Sequence, residues 1–222
     1  MPLAVVFDFF GTLTRPVSRG TEHARVAAIL GVTPQALDTV LGETFYSRAT
    51  GSIGELPDVI RFLAGLLGVT ASPAQVEAAC AARLEVLRHD AQLRDDTLPT
   101  LAALRERGLR LALVSDCTNE LPQLWPELEV SRYFDATVFS YAMGLCKPDQ
   151  LMYKTACEAL DVAPEDCLYV GDGGSNELTG ALAAGMRAVR LLVPGHLSYN
   201  AETGWQGPVV TGLAEVLAHC DA

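Results

Sequence analysis

Apolar positions along the chain fall into two kinds of run. Residues 3–9 form a short β-branched and aromatic stretch, the pattern of a strand buried on both faces. Runs of the same kind recur at residues 109–114, 136–139, 168–170 and 188–193. Between the later runs the apolar spacing becomes helical, at 97–107, about 119–128, 148–160 and 176–184. Strands alternating with helices of that length predict βαβ units and an α/β fold built on a doubly wound, mostly parallel sheet.

The segment from about Thr21 to His89 departs from this alternation. It reads as consecutive helices at 22–30, 34–48, 55–67 and 73–88, divided by Gly31, by Thr50-Gly51-Ser52 and by Gly68. Pro34 and Pro73 occupy first-turn positions, with Thr33 and Ser72 before them as N-caps. A small helical insert directly after the first strand would stand above the carboxyl edge of the sheet, where open α/β folds bind ligands. The expected division is therefore an α/β core of residues 1–16 and 92–222 and a helical lid of residues 17–91.

Composition supports a packed interior, since half of the 222 residues are hydrophobic and 19% are charged. The formal net charge of −11 repels nucleic-acid phosphates and anionic membranes, so neither is an expected partner. Cys80, Cys117, Cys146, Cys157, Cys167 and Cys220 form no C-x-x-C pair, as expected of reduced thiols in a cytoplasmic protein. His23, His89, His196 and His219 are scattered and read as ordinary surface or half-buried residues. The N-terminal run lacks a basic region and is cut short by Asp8, so a signal peptide is not expected.

Four segments carry candidate chemistry. Asp8 ends the first apolar run, ahead of Gly11 and Thr12; it either caps the following turn or serves a reaction. Ser115 follows a strand and precedes a helix, where a hydroxyl either caps the helix or helps to bind an anion. Pro148 resembles a first-turn helix residue, which would set Lys147 against the macrodipole unless an anion or carboxylate lies opposite. In Gly171-Asp172-Gly173-Gly174-Ser175-Asn176-Glu177, Asn176 holds the place of the third glycine of a dinucleotide loop. An acidic residue at that strand end suits a hard cation such as Mg²⁺ better than a pyrophosphate.

In this order, D-x-x-G-T-L, strand-Ser, Lys-Pro-Asp and G-D-x-x-x-N-E resemble the four motifs of the haloacid dehalogenase superfamily, along essentially the whole chain. The insert resembles the helical cap that those enzymes carry after the first strand. The resemblance implies that Asp8 is a covalent nucleophile, that Thr12 and Ser115 hold the transferring group's oxygens, and that Lys147 neutralises charge. It implies Mg²⁺ on Asp8, the Phe10 carbonyl and Asp172, with Glu177 supporting the metal or its waters. Asp116 joins Thr12, Ser115 and Lys147 as an expected substrate contact, and Arg48 is the cap candidate for an anionic substrate group or else a helix-end arginine. The expected partner is a small anionic, phosphorylated substrate, bound by a monomer or homodimer.

Phe10 departs from the family's phosphatases, which carry there an aspartate that protonates the leaving group. Haloacid dehalogenases have an aromatic residue at this place, and phosphonate-cleaving relatives also lack the acid. Dehalogenases, however, replace the acid that Asp172 supplies and do not use Mg²⁺. The expectation is therefore a Mg²⁺-dependent phosphate-ester hydrolase, with a 2-haloacid dehalogenase or a phospho-ligand-binding member without turnover as alternatives.

Overall fold

A computed structural model describes residues 1–17, 20–195, 198 and 200–221; His196 lies outside the described residues. Six parallel strands form one sheet in the order β3-β2-β1-β4-β5-β6. They are β1 (Ala4–Phe7), β2 (Arg110–Ser115), β3 (Ala136–Phe139), β4 (Cys167–Gly171), β5 (Arg187–Leu191) and β6 (Val209–Val210). Because all six run the same way, every strand delivers its following loop to one edge.

Period-two alternation assigns side chains to the two faces. Val5, Phe7, Leu111, Leu113, Leu168 and Val170 enter one buried cluster, while Ala4, Val6, Ala112, Val114, Cys167 and Tyr169 enter the other. Leu101 and Leu104 of one helix and Leu121 and Leu124 of another cover the first face. Met152, Tyr153 and Ala156, with Leu178 and Ala181, cover the second. Both faces are thus dry, as the uninterrupted apolar runs require.

The insert that follows β1 holds five helices: α1 (Thr21–Leu30), α2 (Pro34–Glu43), α3 (Phe45–Ala49), α4 (Leu56–Leu66) and α5 (Pro73–Asp90). The Thr33 side chain accepts from the Ala36 amide, and Ser72 with Gln75 forms a reciprocal capping box. The expected single helix over 34–48 is broken at Thr44, whose hydroxyl donates back to the Val40 carbonyl. Val26, Leu30, Ile60, Leu63, Val76 and Val86 give these helices a core of their own. The chain leaves and re-enters the sheet side by side, through a Thr14–Leu93 antiparallel bridge and an Arg15 amide donating to the Gln92 carbonyl.

The remaining helices are α6 (Thr97–Glu106), α7 (Glu120–Leu124), α8 (Ser140–Met143), α9 (Gln150–Leu160), α10 (Glu177–Ala183) and α11 (Val216–His219). The 119–128 helix stops early as α7 and continues as a 3-10 turn at Trp125–Glu127 that contains Pro126. Pro148 is not a first-turn residue: α9 starts at Gln150, and Asp149 caps it by accepting from the Leu151 amide. Lys147 therefore lies in the loop before the cap, away from the first helical turn. Among the described residues no helix is long and apolar enough to cross a membrane.

Candidate active site

The ends of β1, β2 and β4 bring Asp8, Ser115 and Asp172 to the same sheet edge. The loop from α8 to α9 delivers Lys147 there, and the first residue of α10 is Glu177. Asp8, Asp172 and Glu177 each offer a carboxylate oxygen, all within 4.8 Å of one another. Lys147 sits among them, its Nζ donating to Asp8 Oδ1 at 2.6 Å and to Glu177 Oε2 at 2.6 Å. These groups are nearly inaccessible: Asp8 is 6% exposed, Lys147 5% and Glu177 1%.

Burial pushes the Asp8 carboxyl up, Lys147 pulls it down, and Asp172 raises it again, leaving it above its ordinary value. Glu177 is raised for the same reasons, burial first, opposed by Lys147. Burial alone would push Lys147 down, but the facing Asp8 and Glu177 carboxylates outweigh it and hold the ammonium well above its ordinary value. The site keeps its positive charge because negative charge surrounds it.

Neighbours fix these groups in place. The Thr12 hydroxyl donates to Asp8 Oδ2 at 3.0 Å, so in this structure Thr12 holds the Asp8 carboxylate. Glu177 also accepts from the Tyr169 hydroxyl at 2.8 Å and from the Gly173 amide at 2.8 Å. A Cβ on Gly171 would collide with Glu177 Oε1, so only glycine lets the carboxylate lie over the end of β4. Asp172 Oδ1 accepts from the Gly174 amide at 2.9 Å. Asp116 Oδ1 accepts from the Lys147 backbone amide at 2.9 Å, which anchors the lysine loop. The Ser115 hydroxyl is fully buried and has no hydrogen-bond partner among the described residues.

A cavity of about 610 Å³ opens between the sheet edge and the inserted helices. Asp8, Phe10, Asp116, Lys147, Asp172 and Glu177 line it from below, and His23, Leu41, Phe45, Arg48, Arg83 and Asp90 from the insert. Thr12 and Ser115 do not line it. The Phe10 ring packs edge-on against Phe9, with centroids 5.0 Å apart. Arg48 is buried and donates to the Leu41 carbonyl at 2.6 Å and to the Thr44 hydroxyl at 3.1 Å. It thus meets a carbonyl in the last turn of α2 while also facing the cavity.

Several participants carry no motif. Tyr169 lies in an apolar strand, where the only hint is that a buried tyrosine hydroxyl needs a partner. The expectation that His23 is an ordinary surface or half-buried residue is corrected: it is 9% exposed and its Nε2 lies 3.2 Å from Asp90 Oδ1. Arg83 of α5 pairs with Glu120 of α7 at 2.7 Å, tying the insert to the sheet domain beside the cavity.

An all-oxygen carboxylate set fits a hard divalent cation such as Mg²⁺. Held by an ammonium and shielded from water, the same set could present one carboxylate as a nucleophile.

Comparison with known proteins agrees with this arrangement. The haloacid dehalogenase-like hydrolase family matches residues 2–185. Glyceraldehyde 3-phosphate phosphatase of Methanopyrus kandleri is 31% identical over 202 residues, covering 85% of this chain and 83% of that protein. Phosphoserine phosphatase of Thermus thermophilus is 40% identical over 93 residues, but this spans only 40% of this chain and 36% of that protein. In fold, 2-haloacid dehalogenase from Pseudomonas syringae superposes with a TM-score of 0.70 at 23% identity, covering 99% of both chains. The chain belongs to the haloacid dehalogenase-like hydrolases and is a hydrolase of that superfamily.

Proposed function

We propose that this hydrolase cleaves small phosphate esters, with Mg²⁺ as cofactor and Asp8 as the residue that becomes phosphorylated. The observation that carries the proposal is the cluster of Asp8, Asp172 and Glu177 within 4.8 Å. Three buried carboxylates so close repel one another, and a single lysine compensates only part of their charge. The similarity to glyceraldehyde 3-phosphate phosphatase over most of both chains supports the same reading. Residues 1–16 and 92–222 are the catalytic core, and residues 17–91 are a cap that closes the cavity and sets the substrate.

Asp8, the Phe10 carbonyl and Asp172 would hold Mg²⁺, which when bound neutralises phosphoryl oxygens and so favours attack by an anion. Asp8 attacks phosphorus, oriented by the Thr12 hydroxyl and the Lys147 ammonium. Lys147 offsets the charge that accumulates between nucleophile and phosphoryl group. Glu177 holds Lys147 in place and adds negative charge beside the cation. The unpartnered Ser115 hydroxyl suits an oxygen of the transferring group. Asp116 positions the Lys147 loop, and Arg48 stands on the cap side of the cavity for a second anionic group.

A dehalogenase reading is favoured by Phe10 alone, which cannot transfer a proton to a leaving group. The two readings separate in one experiment: phosphate release from phosphate esters and chloride release from 2-chloropropionate, each with Mg²⁺ and with chelator. Mg²⁺-dependent phosphate release that vanishes in Asp8→Asn supports the proposal. Chloride release indifferent to chelator would replace it by the dehalogenase reading.

A further inference from the structure

The proposed reaction needs a proton donor for an alkoxide leaving group, and Phe10 offers none. Among the described residues lining the cavity, few side chains could supply it. Arg48 and Arg83 stay protonated at any working pH. Lys147 is clamped between Asp8 and Glu177; Asp116 holds the Lys147 backbone amide through Oδ1, while its Oδ2 has no partner among the described residues. Asp8, Asp172 and Glu177 form the anionic cluster itself. On the cap wall stands the pair His23 and Asp90, which holds the one imidazole that lines the cavity among the described residues.

This pair is built as an oriented imidazole. His23 lies in the first turn of α1, and Asp90 is the last residue of α5. The Asp90 carboxylate takes His23 Nε2 at 3.2 Å and is itself only 11% exposed, while His89 Nδ1 touches the same oxygen at 3.3 Å. A structural clasp between α1 and α5 would need only Nε2. The other ring nitrogen, Nδ1, is buried and has no hydrogen-bond partner among the described residues. An aligned carboxylate on one nitrogen fixes the orientation of the ring and leaves the second nitrogen for proton transfer.

We propose that His23, held by Asp90, is the general acid and base of the reaction, taking the part that Phe10 cannot play. The inference rests on the phosphate-ester reading above. In the first step an Asp8 oxygen bonds to phosphorus as the phosphorus–oxygen bond to the alcohol breaks. The proton on His23 Nδ1 goes to the departing oxygen, which leaves as the neutral alcohol. In the second step His23 Nδ1 takes a proton from water, whose oxygen bonds to phosphorus. The bond to Asp8 breaks, and phosphate leaves with the carboxylate and the protonated imidazole restored. Placing the proton carrier on the cap makes proton transfer depend on where the cap stands over the cavity.

The test is the leaving-group dependence of kcat/KM, which reports steps through alcohol release. In His23→Gln, kcat/KM for propyl phosphate should fall about 10²–10⁴-fold, the usual worth of a general acid. For nitrophenyl phosphate, whose leaving group hardly needs a proton, the fall should be far smaller. Nitrophenolate release should then show a burst, because hydrolysis of the Asp8 intermediate lacks its base. Asp90→Asn keeps the imidazole and should move both substrates in the same unequal way by a smaller factor, which covers a poorly folded His23 variant. Equal losses on both substrates in a folded variant would reduce the pair to a structural clasp and overturn the inference alone. Absence of any phosphate release by the wild type would overturn the phosphate-ester reading and this inference with it.

Discussion

Lys147 Nζ donates to Asp8 Oδ1 at 2.6 Å across 139 positions of sequence, joining the end of the central strand to the loop before α9. The same ammonium holds Glu177, so one cation organises two buried carboxylates. Lys147→Met should remove that organisation while keeping most of the side chain's volume. Leaving buried charges without their partner is expected to cost about 3–5 kcal/mol in stability. Adding Mg²⁺ should recover part of it, and turnover should stay lost. Denaturant unfolding with and without Mg²⁺ measures this.

Mg²⁺ itself should stabilise the wild type by mass action, by about 2.7 kcal/mol at a hundredfold excess over Kd. For a chain of this size that corresponds to a Tm rise of roughly 5–10 °C. Asp172→Ala removes one proposed ligand and should abolish most of the rise. A thermal-shift titration that shows no Mg²⁺ effect on the wild type would contradict the metal assignment.

Glu120 ties the cap to the core in a way that pH can read. Burial would raise its carboxyl, but the Arg83 guanidinium and hydrogen bonds outweigh this and bring it below its ordinary value of 4.5. A lowered carboxyl contributes stability that is complete above the unfolded value and is lost as pH falls through the folded one. Glu120→Gln should therefore destabilise the protein by about 3–5 kcal/mol near neutrality, as for a buried pair missing one partner. The gap from wild type should stay constant down to about pH 5 and close in more acidic solution. Parallel Tm curves across the whole range would rule out the ion pair as the cause.

Phe10→Asp offers a proton at the position where the family's phosphatases carry their acid. Placed in the His23→Gln background, it should restore much of the lost propyl phosphate activity, within the 10²–10⁴-fold span of a general acid. In the wild-type background the gain should be smaller, since one acid is already present. The Phe10 ring packs on Phe9, so rates need comparison at temperatures where each variant is folded. No rescue by a folded double variant would show that the spacing from Asp8 is wrong for this chain.

The five longer strands were legible because each is a short apolar run buried on both faces, as Val5 and Val6 show by entering opposite clusters. β6 was not, because two residues after Pro208 carry no periodicity. Asp8 and Asp172 stood out as acids at strand ends, Lys147 as a lysine before a proline and Glu177 through the motif resemblance, and the fold brings them together. The argument for Lys147 from the helix macrodipole rested on the wrong start for α9; what the lysine meets is a pair of carboxylates. Thr12 was expected on the substrate, and in this structure its hydroxyl donates to Asp8. His23 and Asp90 lie 67 positions apart, and only the packing of α1 against α5 makes them a pair.

The cap is attached through two adjacent crossings, at Thr14 with Leu93 and at Arg15 with Gln92. An insertion whose two ends touch is a graft: the chain enters and leaves the host at one place, and Arg83 with Glu120 pins the insert at a second. A helical unit of another size could replace residues 17–91 without changing the register of a single strand. Asp8, the proposed nucleophile, and Lys147 would remain behind in the host, whereas His23 and Asp90 would depart with the graft. On the proposed reading, exchange of this one module would change the substrate and the proton carrier together.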